Sequence, residues 1–479
     1  MPDKKSSDLL FTKLKDIRLN VLWKDVKEAI SGTERDFTTT SLGRAIFILA
    51  VPMVLEMIME SVFAVVDIFF VSKLGADAVA TVGITESVMT IVYAIGVGLS
   101  VATTALVARR IGEKKKKEAG VIAFQAIMVG LIISFVISIP GILFASSFLK
   151  LMGATDKMAA EGFMYPAIMF GGNAVIMLLF IINAVFRSSG DAAISMRVMW
   201  IANIINIILD PLLIFGIGPF PELGLKGAAI ATTTGRGLAV IYQFYLLFKG
   251  NYRIRLYFDS LKIKIGIMLD LLKISAGGIF QNLIATSSWI LMIRIIAISG
   301  PEALAGYTIA IRVIIFALLP AWGLSNAAAT LVGQNLGAKQ PGRAEKSVWI
   351  TGYVNMAFMG TLGVIMATFP GFFIQLFISD LAVVENGTTA LRIISLGFLF
   401  YALGMVLVQG FNGSGDTLTP TKINLVSFWF FEIPLAYLLA VVFNWGLTGA
   451  SIAIVSAETL LAIIALFLFR KGKWKLRKV

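Results

Sequence analysis

The sequence predicts an all-α integral membrane protein of twelve transmembrane helices, arranged as two pseudo-symmetric lobes of six helices each. Three observations predict this class. Of the 479 residues, 58% are hydrophobic and only 14% are charged, whereas soluble domains carry about 25% charged residues. Long apolar runs recur at the length that crosses a bilayer, about 20 residues. Short motifs also repeat between the two halves of the chain.

Apolar runs between polar breaks predict the twelve helices. A bilayer offers the backbone no hydrogen-bond partners, so segments that cross it must be helices or closed barrels. The long runs of this chain favour helices. The predicted spans are residues 43–72, 77–107, 119–147, 159–187, 190–216, 225–248, 268–299, 302–333, 346–374, 386–411, 417–443 and 446–470.

The distribution of positive charge predicts the orientation. Twelve spans place both termini on one side, and 33 of the 41 Lys and Arg residues fall in tails and loops on that side, against four on the other. The positive-inside rule therefore predicts a multi-pass protein of the inner (plasma) membrane with both termini in the cytoplasm. The same distribution accounts for the net charge of +13 without nucleic acid as a partner.

Charge and apolarity divide the chain into five predicted segments. The first, residues 1–40, is a cytoplasmic N-terminal segment. Within it, residues 9–31 have the spacing of an amphipathic helix, which suits the anionic inner leaflet or, alternatively, a solvated position. The other predicted segments are a first lobe at 41–250, a cytoplasmic linker at 251–267, a second lobe at 268–470 and a basic cytoplasmic tail at 471–479.

Matching motifs recur at a nearly constant offset in the two halves. Arg110-Ile111-Gly112 corresponds to Asn335-Leu336-Gly337, and Ser189-Gly190-Asp191 corresponds to Ser414-Gly415-Asp416, both at an offset of 225 residues. Gly224 and Gly446 correspond at an offset of 222. Such ordered coincidences at span boundaries indicate a duplication. Because each half has six spans, both halves insert with the same orientation.

Composition also excludes several kinds of chemistry. The chain has no Cys and no His, so disulfides, thiolate nucleophiles, histidine bases and the usual zinc sites are excluded. Its Gly pairs lie inside apolar spans and no Walker lysine follows them, so no phosphate-binding loop is expected. We therefore expect neither enzymatic activity nor a cofactor.

Several segments at span boundaries carry a family resemblance. They include Val51-Pro52-Met53, the run VDIFFVSKLG at 66–75, Ala108 to Gly112, the run NAVFRSSGD at 183–191 and the run NIILDP at 206–211. Together these segments resemble the multidrug and toxic compound extrusion (MATE) family, in its DinF-like branch, over about residues 40–470. The resemblance implies a secondary active exporter that antiports organic cations or lipophilic drugs against H+ or Na+ by rocker-switch alternating access.

The resemblance also implies where the coupling ion binds. The DinF-like branch uses two aspartates of the first lobe, and Asp67 and Asp210 match them, while Asn183, Asn206 and Thr232 match the polar residues around them. The NorM-type branch instead uses carboxylates in spans seven and ten. Those regions here contain Gln281, Arg294 and Tyr401, and a tyrosine common near the first aspartate is replaced by Phe63.

The residues themselves support an ion site. An ionisable side chain at the bilayer centre costs about 2.5–3.5 kcal/mol and needs a partner or a proton. Asn206 and Asp210 are four residues apart and share a helix face, and Asp210 precedes Pro211, which lacks an N–H. Carboxylate, amide and hydroxyl oxygens suit proton exchange or a bound sodium ion. H+ and Na+ both stay open, as does a purely structural hydrogen-bond network.

For the other residues of the predicted cavity, the sequence allows more than one role. Pro52 is expected to be a hinge in span one or, alternatively, a static kink. Glu56 and Glu60 share a stripe with Phe63 and Asp67 and, with Glu86, would form an acidic face that attracts cations or pairs with Arg236. Gln281 and Arg294 are further cavity candidates, and Arg294 is expected to pair with Glu432 inside the second lobe or, alternatively, with an anionic group of a substrate.

The expected partners are small organic cations or lipophilic drugs and the lipid bilayer, with the chain acting as a monomer. One alternative is a lipid-linked oligosaccharide flippase of the same superfamily. The acidic first lobe argues against it, although Arg294 leaves some room for it. Another is an intramembrane transferase, but its aspartate-rich diphosphate–metal motifs do not occur in the predicted spans.

Overall fold

The computed structural model describes residues 23–33, 35–250, 252–257, 261–477 and 479, and every regular element in that part of the chain is a helix. Twelve long helices follow one another as predicted. They are α1 (Leu42–Ser72), α2 (Ala76–Gly112), α3 (Lys116–Leu143), α4 (Met164–Ser189), α5 (Ala192–Phe215), α6 (Leu225–Lys249), α7 (Ile265–Ala297), α8 (Pro301–Gly337), α9 (Pro341–Thr368), α10 (Leu381–Leu396 with Phe398–Ser414), α11 (Leu418–Val442) and α12 (Gly446–Arg470).

Short helices complete the connections. Ala145–Leu151 and Asp156–Gly162 lie between α3 and α4, Pro370–Gln375 lies between α9 and α10, and a single 3-10 turn, Lys473–Leu476, follows α12. The N-terminal amphipathic prediction is described only from residue 23 onward, and residues 23–31 are helical. The rest of that predicted helix lies outside the described residues.

Three spans depart from a single straight α-helix. The two parts of α4 meet at Gly172, and α10 bends by 54° at Gly397. The chain of α11 winds as a π-helix over Leu425–Glu432 and again over Leu438–Val442. Helix breaks and π-helical turns often mark functional regions.

The described helices fit a multi-pass membrane protein. Ten of them are long and apolar enough to cross a membrane, and the bent α10 adds an eleventh. Helix α6 is the twelfth span, although it carries Lys226, Arg236 and Lys249 within its 25 residues. The three cations make α6 less apolar than the other spans. Since a charged side chain in a membrane span is costly, we expect Arg236, in the middle of the helix, to face the protein interior.

The two lobes, α1–α6 and α7–α12, approach each other most closely on the side where α1 begins and α2 ends, which we call the terminal side. A Cβ added at Gly112 would overlap the carbonyl oxygen of Gln334 and lie 2.8 Å from its carbonyl carbon. The Gln334 amide donates a hydrogen bond of 2.8 Å to the carbonyl of Ser188. Glycine thus allows the backbones of α2 and α8 to touch, and this contact closes the terminal side.

A short segment, residues 31–33 and 35–40, lies across the closed terminal side, and we call it the N-terminal strap. Basic side chains of both lobes and of the linker hold it, mostly through its backbone carbonyls. Arg197 donates to Ser31 at 2.7 Å, Arg253 donates to Thr33 at 3.0 Å, Lys114 pairs with Asp36, and Arg343 of the second lobe donates to Phe37 at 3.1 Å and to Thr40.

Asp36 keeps its charge throughout the physiological pH range. Burial raises its pKa, but hydrogen bonds from Lys114 and Thr38 outweigh that effect and lower the pKa to about 2. A carboxyl whose pKa is lowered on folding contributes stability above its ordinary pKa and loses it as the pH falls through the lowered value. The Asp36–Lys114 pair therefore does not respond to pH near neutrality, so any pH response of the protein must arise elsewhere.

Substitution Arg343→Gln is expected to loosen the strap. It removes charged donors to two strap carbonyls, and such hydrogen bonds contribute about 1.5–3 kcal/mol each. Limited proteolysis within residues 31–40 should accelerate by roughly tenfold or more, since 1.4 kcal/mol is a factor of ten. Lys346→Gln, an exposed change on the same helix, is the matched control. Equal cleavage rates in the two variants would show that Arg343 does not hold the strap.

Candidate functional site

A cavity of about 590 Å³ lies between the two lobes, within the size range of sites for drug-like ligands. Helices of both lobes contribute to its wall, which is largely apolar and aromatic. Phe63, Tyr93 and Phe180 come from the first lobe, and Trp322 comes from the second. An adaptable aromatic wall of this kind suits planar organic molecules.

The two lobes give the cavity walls of different charge. All six charged residues that line it come from the first lobe, and the second lobe contributes carboxamide and hydroxyl groups instead. The charged residues are Glu56, Glu60, Asp67, Glu86, Arg187 and Arg236, and the polar residues of the second lobe include Asn282, Thr286, Asn326, Gln409 and Asn412. With four acids and two bases, the charged wall is acidic when all its groups are ionised.

Three of the predicted ion-site residues form one hydrogen-bonded cluster. The regular helix α5 places Asn206 and Asp210 one turn apart, and the Asn206 amide nitrogen lies 3.4 Å from Asp210 Oδ1. The same nitrogen lies 3.0 Å from the hydroxyl oxygen of Thr232 on α6. All three side chains are buried, and Asp210 has no exposed surface.

The cluster leaves two oxygens without a partner. Asp210 Oδ2 and Asn206 Oδ1 are both buried and accept no hydrogen bond. An unsatisfied buried acceptor costs about 1–3 kcal/mol. A proton on Asp210, or a hard cation between the two oxygens, would supply the missing partner.

Asp67, the second predicted aspartate, lies on α1 and faces the cavity. It interacts electrostatically with Asp210 and with Arg236. The two aspartates of the first lobe therefore lie close enough to interact, with Asp67 at the cavity wall and Asp210 fully buried.

Asn183 has a different partner. Its side-chain oxygen accepts a hydrogen bond of 2.7 Å from Gln243 of α6, and both residues are buried. Sequence reasoning missed Gln243. The spacing could have indicated it, because Thr232 and Gln243 are eleven residues apart, about three helical turns, and lie on one face of α6.

The predicted hinge residue, Pro52, lies within a helix that is continuous from Leu42 to Ser72. It is buried, and next to it Gly323 of the second lobe packs against the carbonyl of Met53. A bend of α1 at Pro52 would therefore begin at an inter-lobe contact. Its role as a hinge stays a prediction.

The two glutamates of α1 have different partners. Glu56 accepts from Arg187 at 2.7 Å and from Ser195 at 2.9 Å and is only 2% exposed. Glu60, one turn further along, accepts from Asn203 at 3.2 Å and lies 3.7 Å from Arg236. Arg236 thus pairs with Glu60, whereas Glu56 belongs to a tight ion pair within the first lobe.

The predicted pairing of Arg294 with Glu432 is wrong. Arg294 is exposed, and the buried carboxylate of Glu432 accepts a 3.0 Å hydrogen bond from Ser288 of α7. Arg294 lies six residues beyond Ser288, and at about 100° per residue this separation turns it to another face of the helix. The prediction that Gln281 of α7 lines the cavity is also wrong by one position, because its neighbour Asn282 lines the cavity instead.

Glu432 instead belongs to a polar cluster that the sequence analysis missed. It interacts electrostatically with Glu458 of α12, and Tyr401 of α10 interacts with both carboxyl groups. Glu458 follows Arg236 by 222 residues, which is the offset between α6 and α12 in the internal repeat. Equivalent positions in the two lobes therefore carry opposite charges.

Arg294→Gln is expected to leave stability nearly unchanged. Changes at exposed positions usually alter the free energy of unfolding by less than about 0.5 kcal/mol. The thermal unfolding midpoint of the purified protein is the measurement, with Ser288→Ala, which removes the donor to Glu432, as the contrasting variant. A large drop in the unfolding midpoint for Arg294→Gln alone would show that Arg294 does pair with Glu432.

Comparisons with known proteins agree with this architecture. The model of the MatE family matches residues 52–212 and again residues 278–438, nearly the offset of the internal repeat. The chain is similar to a probable multidrug resistance protein NorM of Thermotoga maritima, at 28% identity over 438 residues, covering 90% of this chain and 93% of that protein. It is equally similar, at 28% over 433 residues, to a FAD transporter of Shewanella oneidensis, covering 90% and 95%.

The fold also matches solved structures. One is described as the outward-facing conformation of a multidrug resistance MATE family transporter of the MOP superfamily. It superposes with a TM-score of 0.85 at 23% identity and covers 91% of this chain and 96% of that one. At this identity the likeness concerns the fold alone.

Proposed function

Because the chain belongs to the MatE family of multi-pass membrane transporters, we propose that it is a secondary active exporter of organic cations or lipophilic drugs. The observation that carries this proposal is the cavity between the lobes, whose first-lobe wall is acidic and lies beside a buried aspartate with an unpaired oxygen. A carboxylate wall attracts cations, and the buried aspartate can exchange an ion with them. The multidrug resistance name of one relative supports the same substrate class.

The predicted orientation indicates which state of the transport cycle the structure represents. The excess of Lys and Arg on the terminal side predicts that this side faces the cytoplasm, and in this orientation the closed side of the structure is the cytoplasmic one. The structure then corresponds to an outward-open state in an alternating-access cycle. An ion that enters from outside reaches Asp67 at the cavity wall before the buried Asp210.

We put H+ ahead of Na+ as the coupling ion. The buried cluster offers two free oxygens, on Asp210 and Asn206, whereas hard metal cations prefer larger sets of oxygen ligands. Among the described residues, no group of three or more acidic, His or Cys side chains is placed to hold a metal ion. A proton needs only one carboxylate oxygen.

A second candidate substrate is a flavin dinucleotide. The similarity to a FAD transporter favours it, and the carboxamides of the second-lobe wall could bind the edge of a flavin ring. The acidic wall opposes it, because the dinucleotide carries a diphosphate and the four carboxylates of the cavity outnumber its two arginines. The same acidity opposes the anionic diphosphate of a lipid-linked oligosaccharide.

Reconstituted vesicles test the proposed function directly. The full chain is placed in liposomes, and uptake or release of ethidium and of FAD is followed under an imposed pH gradient or an imposed Na+ gradient. We expect ethidium movement that requires the pH gradient, stops with a proton uncoupler and does not require Na+. Movement of FAD without ethidium would replace the first candidate with the second, and ethidium movement driven only by Na+ would change the coupling ion.

A further inference from the structure

We propose that Arg236 is a tethered counter-cation, which occupies the cation-binding position of the empty cavity and is displaced from it by the charged group of the substrate. This inference rests on the proposed function, because it concerns how the same cavity selects its cations. It assigns a specificity-determining role to a residue of α6 that the ion site does not use.

The surroundings of Arg236 are those of a bound organic cation. Its guanidinium lies 5.4 Å from the centre of the Phe63 ring and 3.7 Å from a carboxylate oxygen of Glu60. It also interacts electrostatically with Tyr93 and with Glu86. Aromatic faces combined with carboxylates are a general recognition environment for organic cations, and here a side chain of the protein itself fills it.

The contact with Glu60 is loose enough to be exchanged. At 3.7 Å it exceeds the length of a hydrogen bond, and the Glu60 side chain is 31% exposed to the cavity. The neighbouring pair of Arg187 and Glu56 is different, since it is 2.7 Å long and has side chains that are 13% and 2% exposed. The two arginines are themselves similarly buried, with 10% exposure for Arg236 and 13% for Arg187, so the difference lies in the length of the contact and in the exposure of the glutamate. Arg187 is therefore held tightly by its glutamate, whereas the contact of Arg236 with Glu60 can be exchanged.

Charge balance then predicts which substrates fit. With the Arg187–Glu56 pair set aside, the cavity holds the carboxylates Glu60, Asp67 and Glu86 against the single cation Arg236. Whichever of these carboxylates are ionised when the substrate is bound, Arg236 supplies one of the positive charges that balance them. Without Arg236 the substrate that balances the same carboxylates would carry one more positive charge. Arg236 therefore selects monocations over dications.

Ethidium and propidium provide a matched test, because they share one aromatic ring system and carry one and two positive charges. Affinities of both dyes are measured by fluorescence with the purified full chain at one fixed pH. In Arg236→Gln we expect the ratio of propidium to ethidium affinity to rise by about tenfold or more, since each 1.4 kcal/mol of lost repulsion or gained attraction is a factor of ten. Arg236→Lys, which keeps the charge, should retain most of the original ratio.

Two further variants make the test independent of any folding defect in Arg236→Gln. Glu60→Gln removes one acid and should shift the ratio in the opposite direction, toward ethidium. Lys226→Gln, on the same helix but outside the cavity lining, should leave the ratio as it is. An unchanged ratio in both Arg236→Gln and Glu60→Gln, or an equal loss of affinity for both dyes, would overturn the role of Arg236. A failure of the proposed function would give a different result. In that case the unmodified protein would bind neither dye, and both proposals would be wrong.

Discussion

Replacing Asp210 with asparagine is expected to abolish gradient-driven export while the protein stays folded. Asparagine keeps the volume of the side chain and can still contact Asn206, which lies 3.4 Å away. It cannot take up and release a proton, and it cannot offer a negative charge to a cation. Because the only group of the cluster that can carry the coupling ion is lost, export driven by the gradient should fall to the level of vesicles without the protein.

The measurement for Asp210→Asn is dye export from vesicles under a pH gradient, together with dye binding in the absence of a gradient. Binding should survive, because Asp210 is fully buried and does not line the cavity. Asp67→Asn should also lose export, and Asp270→Asn, at an exposed position of α7, is the matched control. Normal export in both Asp67→Asn and Asp210→Asn would remove the ion site from the mechanism.

Replacing Gly112 with alanine is expected to prevent the terminal side from closing. The added Cβ would overlap the Gln334 carbonyl oxygen and lie 2.9 Å from its Cα, and neither backbone can move without separating α2 from α8. Overpacking a close contact costs about 1–3 kcal/mol. An energy of this size shifts the balance between outward-open and inward-open states by about 5–150-fold.

The absence of cysteine from the chain makes this shift measurable with a single label. A cysteine introduced at Ala64, in the cavity wall, should react with a membrane-impermeant maleimide added from outside in the outward-open state. Adding Gly112→Ala should slow the labelling in proportion to the loss of that state. Gly83→Ala lies on the same helix, where an added Cβ meets nothing within 4 Å, and it should label at the original rate. Equal rates for Gly83→Ala and Gly112→Ala would show that the close approach at Gly112 does not control the state.

Much of the fold could be predicted because the bilayer imposes it. The first span was predicted at 43–72, and α1 is Leu42–Ser72, since an apolar run must be as long as the membrane is thick. The same argument could not find the bend at Gly397 or the short helices Ala145–Leu151 and Asp156–Gly162. An apolar run indicates that a segment is buried in lipid or protein, but it does not indicate whether the helix axis is straight.

The side-chain partners were harder to predict than the spans. Asp67 and Asp210 were identified through a resemblance, and they interact electrostatically in the structure, yet Gln243 and Glu458 were missed. Pairing depends on helix rotation, and an error of one residue turns a side chain by about 100°. The pairing of Arg294 with Glu432 failed for this reason, although the spans that carry both residues were predicted correctly.

The π-helical turns of α11 leave that helix with a surplus residue in its winding. A deletion of one residue within Leu425–Glu432 could be accommodated by rewinding to an ordinary α-helix, so that the flanking segments keep their rotation. The same deletion in α5, between Asn206 and Asp210, would rotate the two side chains apart by about 100°. Changes in chain length are thus tolerated unequally at corresponding positions of the two lobes, and the lobe with the proposed ion site tolerates them less.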